Sequence, residues 1–304
     1  MIPVEQLVLA AVIVGAGQLY AVGARRRRPK HAFRRGACFA AALVLLEVAL
    51  CAPFHRLADE SLAAHMLQHV VLMSYVSPLL VLAAPWLTVW RGLPLVTRRR
   101  LARRVVALPA TLRRSLRMLV APWPAWLLLN VDLAVWHVPW LYDLTLRNGG
   151  VHELEHASYL LFGVLFWLPI VDSSPVRARL RGMKAVAYAV AGMATGWVLA
   201  LVLAFAPAPL YPVYAALRIR AFGLSALADQ QLAGGVMLAL GSIPLSIAVF
   251  VFVYRWLDDT ARTAPRHTAT RSATAPSEAS RFSTSTVVMT TTKPPGAGRT
   301  LRGS

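Results

Sequence analysis

The sequence predicts an all-α, polytopic membrane protein, a bundle of seven transmembrane helices. Apolar residues make up 57% of the 304 residues, charged residues only 15%, and the mean hydropathy is +0.56. The apolar residues fall into seven runs, each long enough at about 20 residues to cross the hydrocarbon core of a bilayer. The net charge of +19 is gathered in blocks between these runs, which favours loops of a membrane protein over a nucleic-acid-binding face.

The predicted spans follow one another with short connections. Positive charges follow the first apolar run rather than precede it, unlike in a cleaved signal peptide. Pro78 and Pro85 are expected to kink or end the third span, and a strongly basic loop is expected at residues 91–117. The spans are Val4–Gly23, Gly36–Pro53, Leu62–Trp90, Met118–Val138, Val151–Val171, Ala185–Phe205 and Leu232–Trp256.

The distribution of lysine and arginine predicts the orientation. With the N-terminus outside, the inner loops and the C-terminal tail hold 28 of the 32 basic residues. Basic residues concentrate in cytoplasmic loops, so the C-terminus is expected in the cytoplasm. Residues 1–257 are expected to form the membrane domain. Residues 258–304 are rich in Thr, Ser, Ala, Pro and Arg and are expected to be a disordered tail.

Histidines gather at the predicted outer ends of the spans. Two pairs, one in the third span and one at the start of the fifth, have a spacing of four residues, which places both rings of a pair on one helix face. Ionisable groups inside a membrane are costly and are treated as functional candidates, although hydrogen bonding between helices stays an alternative. The candidate metal ligands are His65, His69, His137, His152 and His156.

Other side chains are expected to orient or supplement these ligands. A thioether one turn beyond His69 adds a donor that suits a soft or borderline metal, and nearby carboxylates or amides can orient imidazoles. Asp229 can instead cap the seventh helix, and Met73 can serve packing alone. The supplementary candidates are Glu155, Asp229, Gln230, Met73, Glu47, Cys51 and His55.

The segment His152-Glu-Leu-Glu-His156 matches the pattern His-Glu-x-x-His. In zinc metalloproteases the two histidines bind zinc and the first glutamate, here Glu153, acts as general base. Five histidines on three helices exceed the three protein ligands of a hydrolytic zinc site. An intramembrane metalloprotease therefore remains the alternative to a metal-binding protein that is not an enzyme.

Seven motifs carry a resemblance to a known family that covers roughly residues 38–257. They are Ala64-His-Met-Leu-Gln-His-Val-Val-Leu-Met73, Pro78-Leu-Leu-Val-Leu-Ala-Ala-Pro85, Trp136-His-Val-Pro139, His152-Glu-Leu-Glu-His156, Phe166-Trp-Leu-Pro169, Leu210-Tyr-Pro-Val-Tyr214 and Leu227-Ala-Asp-Gln-Gln-Leu-Ala-Gly234. In order and spacing they resemble the motifs of the CtaG-type cytochrome c oxidase assembly factors, the integral membrane proteins associated with caa-type oxidases.

The resemblance implies a seven-span protein of the bacterial plasma membrane that serves the respiratory chain without being an enzyme. Its partners would be cytochrome c oxidase subunits within the lipid bilayer. We therefore expect copper at the outer face, with zinc not excluded because affinity alone does not select between them. A scaffold that contacts oxidase subunits without a metal also stays open. The family's polar pattern falls on His65, His69, His137, His152, Glu155, His156, Asp229 and Gln230.

Overall fold

The computed structural model of the protein describes residues 4–217 and 221–263, and within these ranges it is helical apart from turns and one isolated β-bridge. The all-α prediction is therefore confirmed for the described residues. A π-helical segment, Val71–Val76, joins two of the α-helices, and Ala221–Gly223 forms a 3₁₀ turn. The α-helices are α1 Val4–Arg26, α2 Ala32–Leu50, α3 Phe54–Glu60, α4 Leu62–Val70, α5 Ser77–Ala83, α6 Trp86–Gly92, α7 Leu95–Ala107, α8 Ala110–Met118, α9 Pro122–Trp136, α10 Pro139–Arg147, α11 Gly149–Trp167, α12 Met183–Phe205, α13 Pro212–Ala215 and α14 Ala226–Thr263.

Membrane-spanning length and composition are met by four helical stretches among the described residues, or by six if each of two bent pairs counts as one span. One pair, α2 with α3, is bent by 45°, and the other, α8 with α9, by 70°. Helix α11 is not among them, because two histidines and two glutamates make its first half polar. The four unbroken stretches are Gln6–Arg26, Leu62–Ala83, Met183–Phe205 and Ala226–Thr263.

The third predicted span ends earlier than expected. The helical run stops at Ala83, where Ala84 takes a left-handed conformation with φ of 46° directly before Pro85. Proline disfavours helical geometry in the residue before it, so the expected break at Pro85 is confirmed. Pro78 lies two residues after the π-helical segment Val71–Val76, inside the continuous helical stretch Leu62–Ala83, and the run continues through it.

The prediction of a loop at the basic residues 91–117 is wrong, because most of this segment is helical. Helices α7 and α8 occupy most of it, and neither contains a buried residue. Each begins directly after a proline, Pro94 or Pro109, a position from which helices commonly start. Arginine and leucine are also good helix formers, so a high charge was a poor guide to local conformation here.

A buried cluster of apolar and aromatic side chains surrounds the histidines. It draws residues from α4, α9, α10, α11, α12, α13 and α14, among them Met66, Tyr142 and Tyr159, which are fully buried. Helix α11 packs closely on the π-helical segment at Gly163, where an added Cβ would lie 3.1 Å from the Cα of Met73. This close approach holds α11 beside the helical run that carries the first pair of histidines.

The remaining helix surfaces are strongly apolar. Large side chains on α12 and α14 are exposed, including Phe205 and Phe250, which are 79% and 75% exposed. Exposed apolar belts of this kind suit contact with lipid. Helix α14 continues to Thr263, past the predicted domain end at residue 257, and residues 264–304 of the predicted tail lie outside the described residues.

Candidate metal centre

Four histidines from two helices meet in one buried pocket. His65 and His69 project from α4, and His152 and His156 project from α11. Each ring offers one nitrogen such that the four nitrogens lie within 4.8 Å of one another. Four nitrogens bound tetrahedrally at about 2.0 to 2.1 Å lie about 3.3 to 3.4 Å from one another. An inward movement of less than about an ångström would therefore suffice for a common ion.

Glu155 brings a carboxylate to the same pocket. Its Oε2 lies 3.7 Å from Nε2 of His65, its Oε1 lies 3.6 Å from Nε2 of His69, and the side chain is fully buried. The pocket also holds buried polar atoms without a hydrogen-bond partner, where protein interiors normally satisfy such groups. This donor set fits a metal ion. The unpartnered atoms here are Nε2 of His65, Nδ1 and Nε2 of His69, Nε2 of His152, Nε2 of His156 and both carboxylate oxygens of Glu155.

The tautomer of His65 follows from its hydrogen bonds. The hydroxyl of Tyr214 donates to the carbonyl oxygen of Ala58 at 2.6 Å, which uses its one proton. Nδ1 of His65 lies 3.0 Å from the same hydroxyl oxygen and must therefore be the donor of that contact. A neutral imidazole carries one proton, so Nε2 keeps its lone pair and presents it to the pocket. Metal-binding histidines are commonly oriented in this way.

Aromatic rings close the pocket against water. The ring centroid of His65 lies 4.8 Å from that of His152 and 4.5 Å from that of His69. The ring of Tyr142 lies 5.1 Å from His65, and the ring of Tyr159 lies 4.6 Å from His69. Exclusion of water lowers the local dielectric, which strengthens any interaction between a cation and the carboxylate.

Asp229 positions the helix that carries the first two histidines. Its carboxylate accepts hydrogen bonds from the hydroxyl of Ser61 at 2.7 Å and from the backbone N–H groups of Leu62 and Ala63 at 2.7 and 3.2 Å. These donors lie at the N-terminus of α4, where backbone N–H groups lack partners within the helix. Asp229 on α14 thus caps α4 across the bundle.

The cap of α14 itself is a different residue. The backbone N–H of Ala228 donates to the hydroxyl oxygen of Ser225 at 3.1 Å. The alternative role for Asp229, as the cap of its own helix, is therefore wrong, because Ser225 accepts that bond and the carboxylate accepts from the start of α4. The next residue, Gln230, ties the chain together by accepting from the N–H of Leu210 at 2.7 Å and donating to the carbonyl oxygen of Leu203 at 3.2 Å.

Met73 lies beyond His65 and His69 along the same helical run. It lies in the π-helical segment Val71–Val76, whose wider turn breaks the spacing of four residues that relates His65 to His69. Its side chain lines a separate cavity of about 60 Å³ together with Met193 and Met237. The expected continuous stripe of two imidazoles and a thioether is therefore interrupted after α4.

The supplementary candidates Glu47, Cys51 and His55 do not form one group. The thiol of Cys51 donates to Oε1 of Glu47 at 3.2 Å, so these two residues pair with each other. His55 lies on α3, not in a loop as expected, and its ring stacks on that of His152 with centroids 5.3 Å apart. Of these three residues only His55 reaches the edge of the pocket.

His137 is near the four histidines but separate from them. It follows the end of α9, where its Nδ1 lies 2.8 Å from the carbonyl oxygen of Leu133 and its Nε2 lies 3.3 Å from Sδ of Met66. The group of four ligand atoms does not include it. The structure thus brings four of the five candidate ligands into one pocket.

The family described as cytochrome c oxidase caa3 assembly factor, Caa3_CtaG, matches residues 18–259. The chain belongs to the Caa3_CtaG family. The matched range includes both helices that carry the four histidines and the residue that caps α4. Neither the curated proteins nor the solved structures include a match.

In this Caa3_CtaG protein a cavity of about 550 Å³ leads to the histidines from one side. It lies between α1, α2 and α11, and its lining includes Gln6, Leu46, His55, Glu153 and His156. Most of its wall is apolar, and His156 forms the point at which it touches the pocket. The cavity therefore adjoins the pocket at His156.

The two glutamates between His152 and His156 have opposite environments. Glu153 is exposed, whereas Glu155 is fully buried against the histidines. Successive residues of a helix point about 100° apart, so the residue directly after His152 turns away. The carboxylate that faces the imidazoles is thus not the one that serves as general base in the His-Glu-x-x-His pattern.

Several residues of the site escaped the sequence analysis as functional candidates. Tyr142, Tyr159 and Tyr214 enclose or orient the histidines, and Gln68 donates to the carbonyl oxygen of Ala49 at 2.6 Å, which ties α4 to α2. The available signals were the position of Gln68 between the two histidines and that of Tyr214 within the motif that ends there. Neither signal identifies the residue that Gln68 or Tyr214 contacts.

Proposed function

We propose that the protein binds copper at the extracytoplasmic face of a bacterial plasma membrane and aids its insertion into a caa-type cytochrome c oxidase. The family supplies the role in oxidase assembly. The observation that carries the metal is the buried group of four histidines, two of which have a nitrogen 3.6 or 3.7 Å from the carboxylate of Glu155. The proposed partners are the oxidase subunits that receive the ion.

In this proposal His65, His69, His152 and His156 hold the ion and Glu155 balances its charge. Imidazole nitrogen suits copper and also zinc, so the choice between them depends on supply and geometry. When bound, copper serves as cargo for the oxidase. The chain's own residues orient the imidazoles through Tyr214, exclude water with aromatic rings and keep α4 in place through Asp229. None of these roles requires catalysis by the protein.

The membrane arrangement that we propose has seven spans, with the N-terminus outside. It counts α9 and α11 as spans in addition to the longer helices, and it places the histidine pocket near the outer face. The distribution of basic residues supports it, since 28 of 32 lie on the inner side in this arrangement, as cytoplasmic loops of membrane proteins do.

Cysteine labelling in intact cells tests this orientation. We expect a cysteine at Gly149, which is exposed at the start of α11, to react with a membrane-impermeant maleimide. A cysteine at exposed Arg103 on α7 should react only after permeabilisation. Both are made in a chain whose two natural cysteines, Cys38 and Cys51, are serines. The reverse pattern of labelling would contradict the proposed orientation.

Removal of two imidazoles tests the metal centre. In the double variant His65→Ala/His69→Ala we expect the copper held by the four histidines to fall at least about tenfold, because two of four ligands are lost. Oxidase activity in cells that rely on the variant should fall with it. The matched control is His31→Asn, an exposed histidine whose left-handed backbone asparagine tolerates.

The outcomes of this experiment distinguish the metal centre from its role in oxidase assembly. Equal copper in the parent and the double variant would contradict the site. Loss of copper with full oxidase activity would leave the centre in place but refute its role in assembly, and would favour a scaffold that only contacts oxidase subunits. The copper content is measured by mass spectrometry of the protein in detergent after removal of loosely bound ions.

A further inference from the structure

A second pair of metal-binding atoms lies beside the four histidines. Sδ of Met66, on α4, is 3.3 Å from Nε2 of His137, which follows α9. Met66 is fully buried and His137 is 7% exposed. The two residues are 71 positions apart in the chain, so their contact comes from the packing of α4 against the end of α9.

The proton on His137 lies on the other nitrogen. Nδ1 is 2.8 Å from the carbonyl oxygen of Leu133, which can only accept, so Nδ1 carries the hydrogen of this bond. The hydroxyl of Tyr159, at 3.5 Å from the same nitrogen, is a longer contact. A neutral imidazole has one N–H, and Nε2 therefore directs a lone pair at the sulfur.

A thioether sulfur has no hydrogen to donate. Two lone-pair atoms thus face each other at close range, an arrangement that a shared cation would stabilise. We propose that Met66 and His137 form a second site, which takes a soft monovalent cation, Cu(I), while the four histidines form the first. The mixture of thioether and imidazole favours soft copper over zinc.

The distance between the two atoms agrees with a shared ion. With bonds of about 2.0 Å to imidazole nitrogen and about 2.3 Å to sulfur, an ion can contact both atoms at a separation of 3.3 Å with an angle of about 100° at the ion. Such a bent geometry leaves further coordination positions for an incoming or departing ligand.

The second site lies one side chain away from the first. The ring of Tyr159 is 4.6 Å from the ring of His69, and its hydroxyl is 3.5 Å from Nδ1 of His137. The ring of Tyr142 similarly lies 5.1 Å from His65 and 6.3 Å from His137. A cation that moves between the sites would pass from a set of imidazoles with a carboxylate to a site with sulfur.

X-ray absorption at the copper edge tests this second site on the full chain loaded with Cu(I) in detergent. We expect a sulfur neighbour in the parent protein and no sulfur neighbour in Met66→Leu, with about one Cu(I) fewer per chain. Leucine is close to methionine in volume, so the fold should be kept. The matched control is Met237→Leu in the same buried cluster, which should keep the sulfur signal.

The variant His65→Ala/His69→Ala separates this inference from the proposed function. It should lose the ions held by the four histidines and keep the sulfur neighbour. A parent spectrum without sulfur would overturn the second site, as would a sulfur signal that persists in Met66→Leu. Neither result would change the amount of copper that we expect the four histidines to bind.

Discussion

A Glu155→Gln variant is expected to bind copper about 10 to 100 times more weakly than the parent chain, the usual effect of removing a residue that supports a metal site. Glutamine keeps the size of the side chain and removes the negative charge. In the pocket the carboxylate lies 3.6 and 3.7 Å from imidazole nitrogens and is shielded from water. In the variant a bound cation would have no carboxylate beside it. The attraction that is lost is strong, because the pocket has a low dielectric.

The same substitution should not destabilise the protein without metal. A buried carboxylate that lacks a hydrogen bond is costly, so its neutral replacement should leave the thermal midpoint of the metal-free protein unchanged or raise it. Copper affinity is measured by competition with a chelator, and the midpoint is measured in the same detergent. Unchanged affinity would show that Glu155 does not face the ion.

Glu153→Gln is the matched control, on the same helix and two residues away. Glu153 lines the cavity beside the histidines but is exposed and turned away from their pocket, so we expect copper affinity and oxidase assembly to be retained. An intramembrane metalloprotease would behave in the opposite way, since loss of its general base abolishes function while the metal stays bound. The pair of variants therefore distinguishes an assembly factor from a protease.

Asp229→Ala is expected to lower the thermal midpoint strongly and to abolish metal binding together with it. The carboxylate accepts three hydrogen bonds at the N-terminus of α4, from Ser61, Leu62 and Ala63. Each buried donor left without a partner costs about 1 to 3 kcal/mol. The loss should be large because α4 carries His65 and His69, whose positions depend on how that helix is held.

Two controls accompany Asp229→Ala. Asp229→Asn keeps one acceptor oxygen and should have an intermediate midpoint. Asp258→Ala removes an exposed carboxylate that pairs with Arg262, and substitutions at such sites usually change stability by no more than about 0.5 kcal/mol. Wild-type metal binding by Asp229→Ala, measured on folded protein, would contradict the view that this carboxylate positions the site.

The sequence alone predicted the parts of this site that depend on helical periodicity. The pairs His65 with His69 and His152 with His156 are local patterns, and the spacing of four residues places each pair on one face. Both pairs lie at the predicted outer ends of their spans, so we expected the two helix faces to meet. The structure brings the four rings together.

Contacts between distant residues could not be predicted in this way. Asp229 caps a helix 168 positions away in the chain, and no local pattern reveals such a partner. The burial of Glu155 and the exposure of Glu153 depend on how α11 is rotated against α4. The π-helical segment also changes the register after His69, so extrapolation along an ideal helix misplaced Met73.

The cavity beside the histidines separates access to the site from the ligands that form it. Its outer wall includes Gln6, Val8, Leu9 and Val12 of α1, all of which precede residue 18, where the family match begins. The ligands themselves lie inside the match. Under the proposed function, substitutions in the first turns of α1 would therefore change access to the histidines while the ligands themselves stay the same.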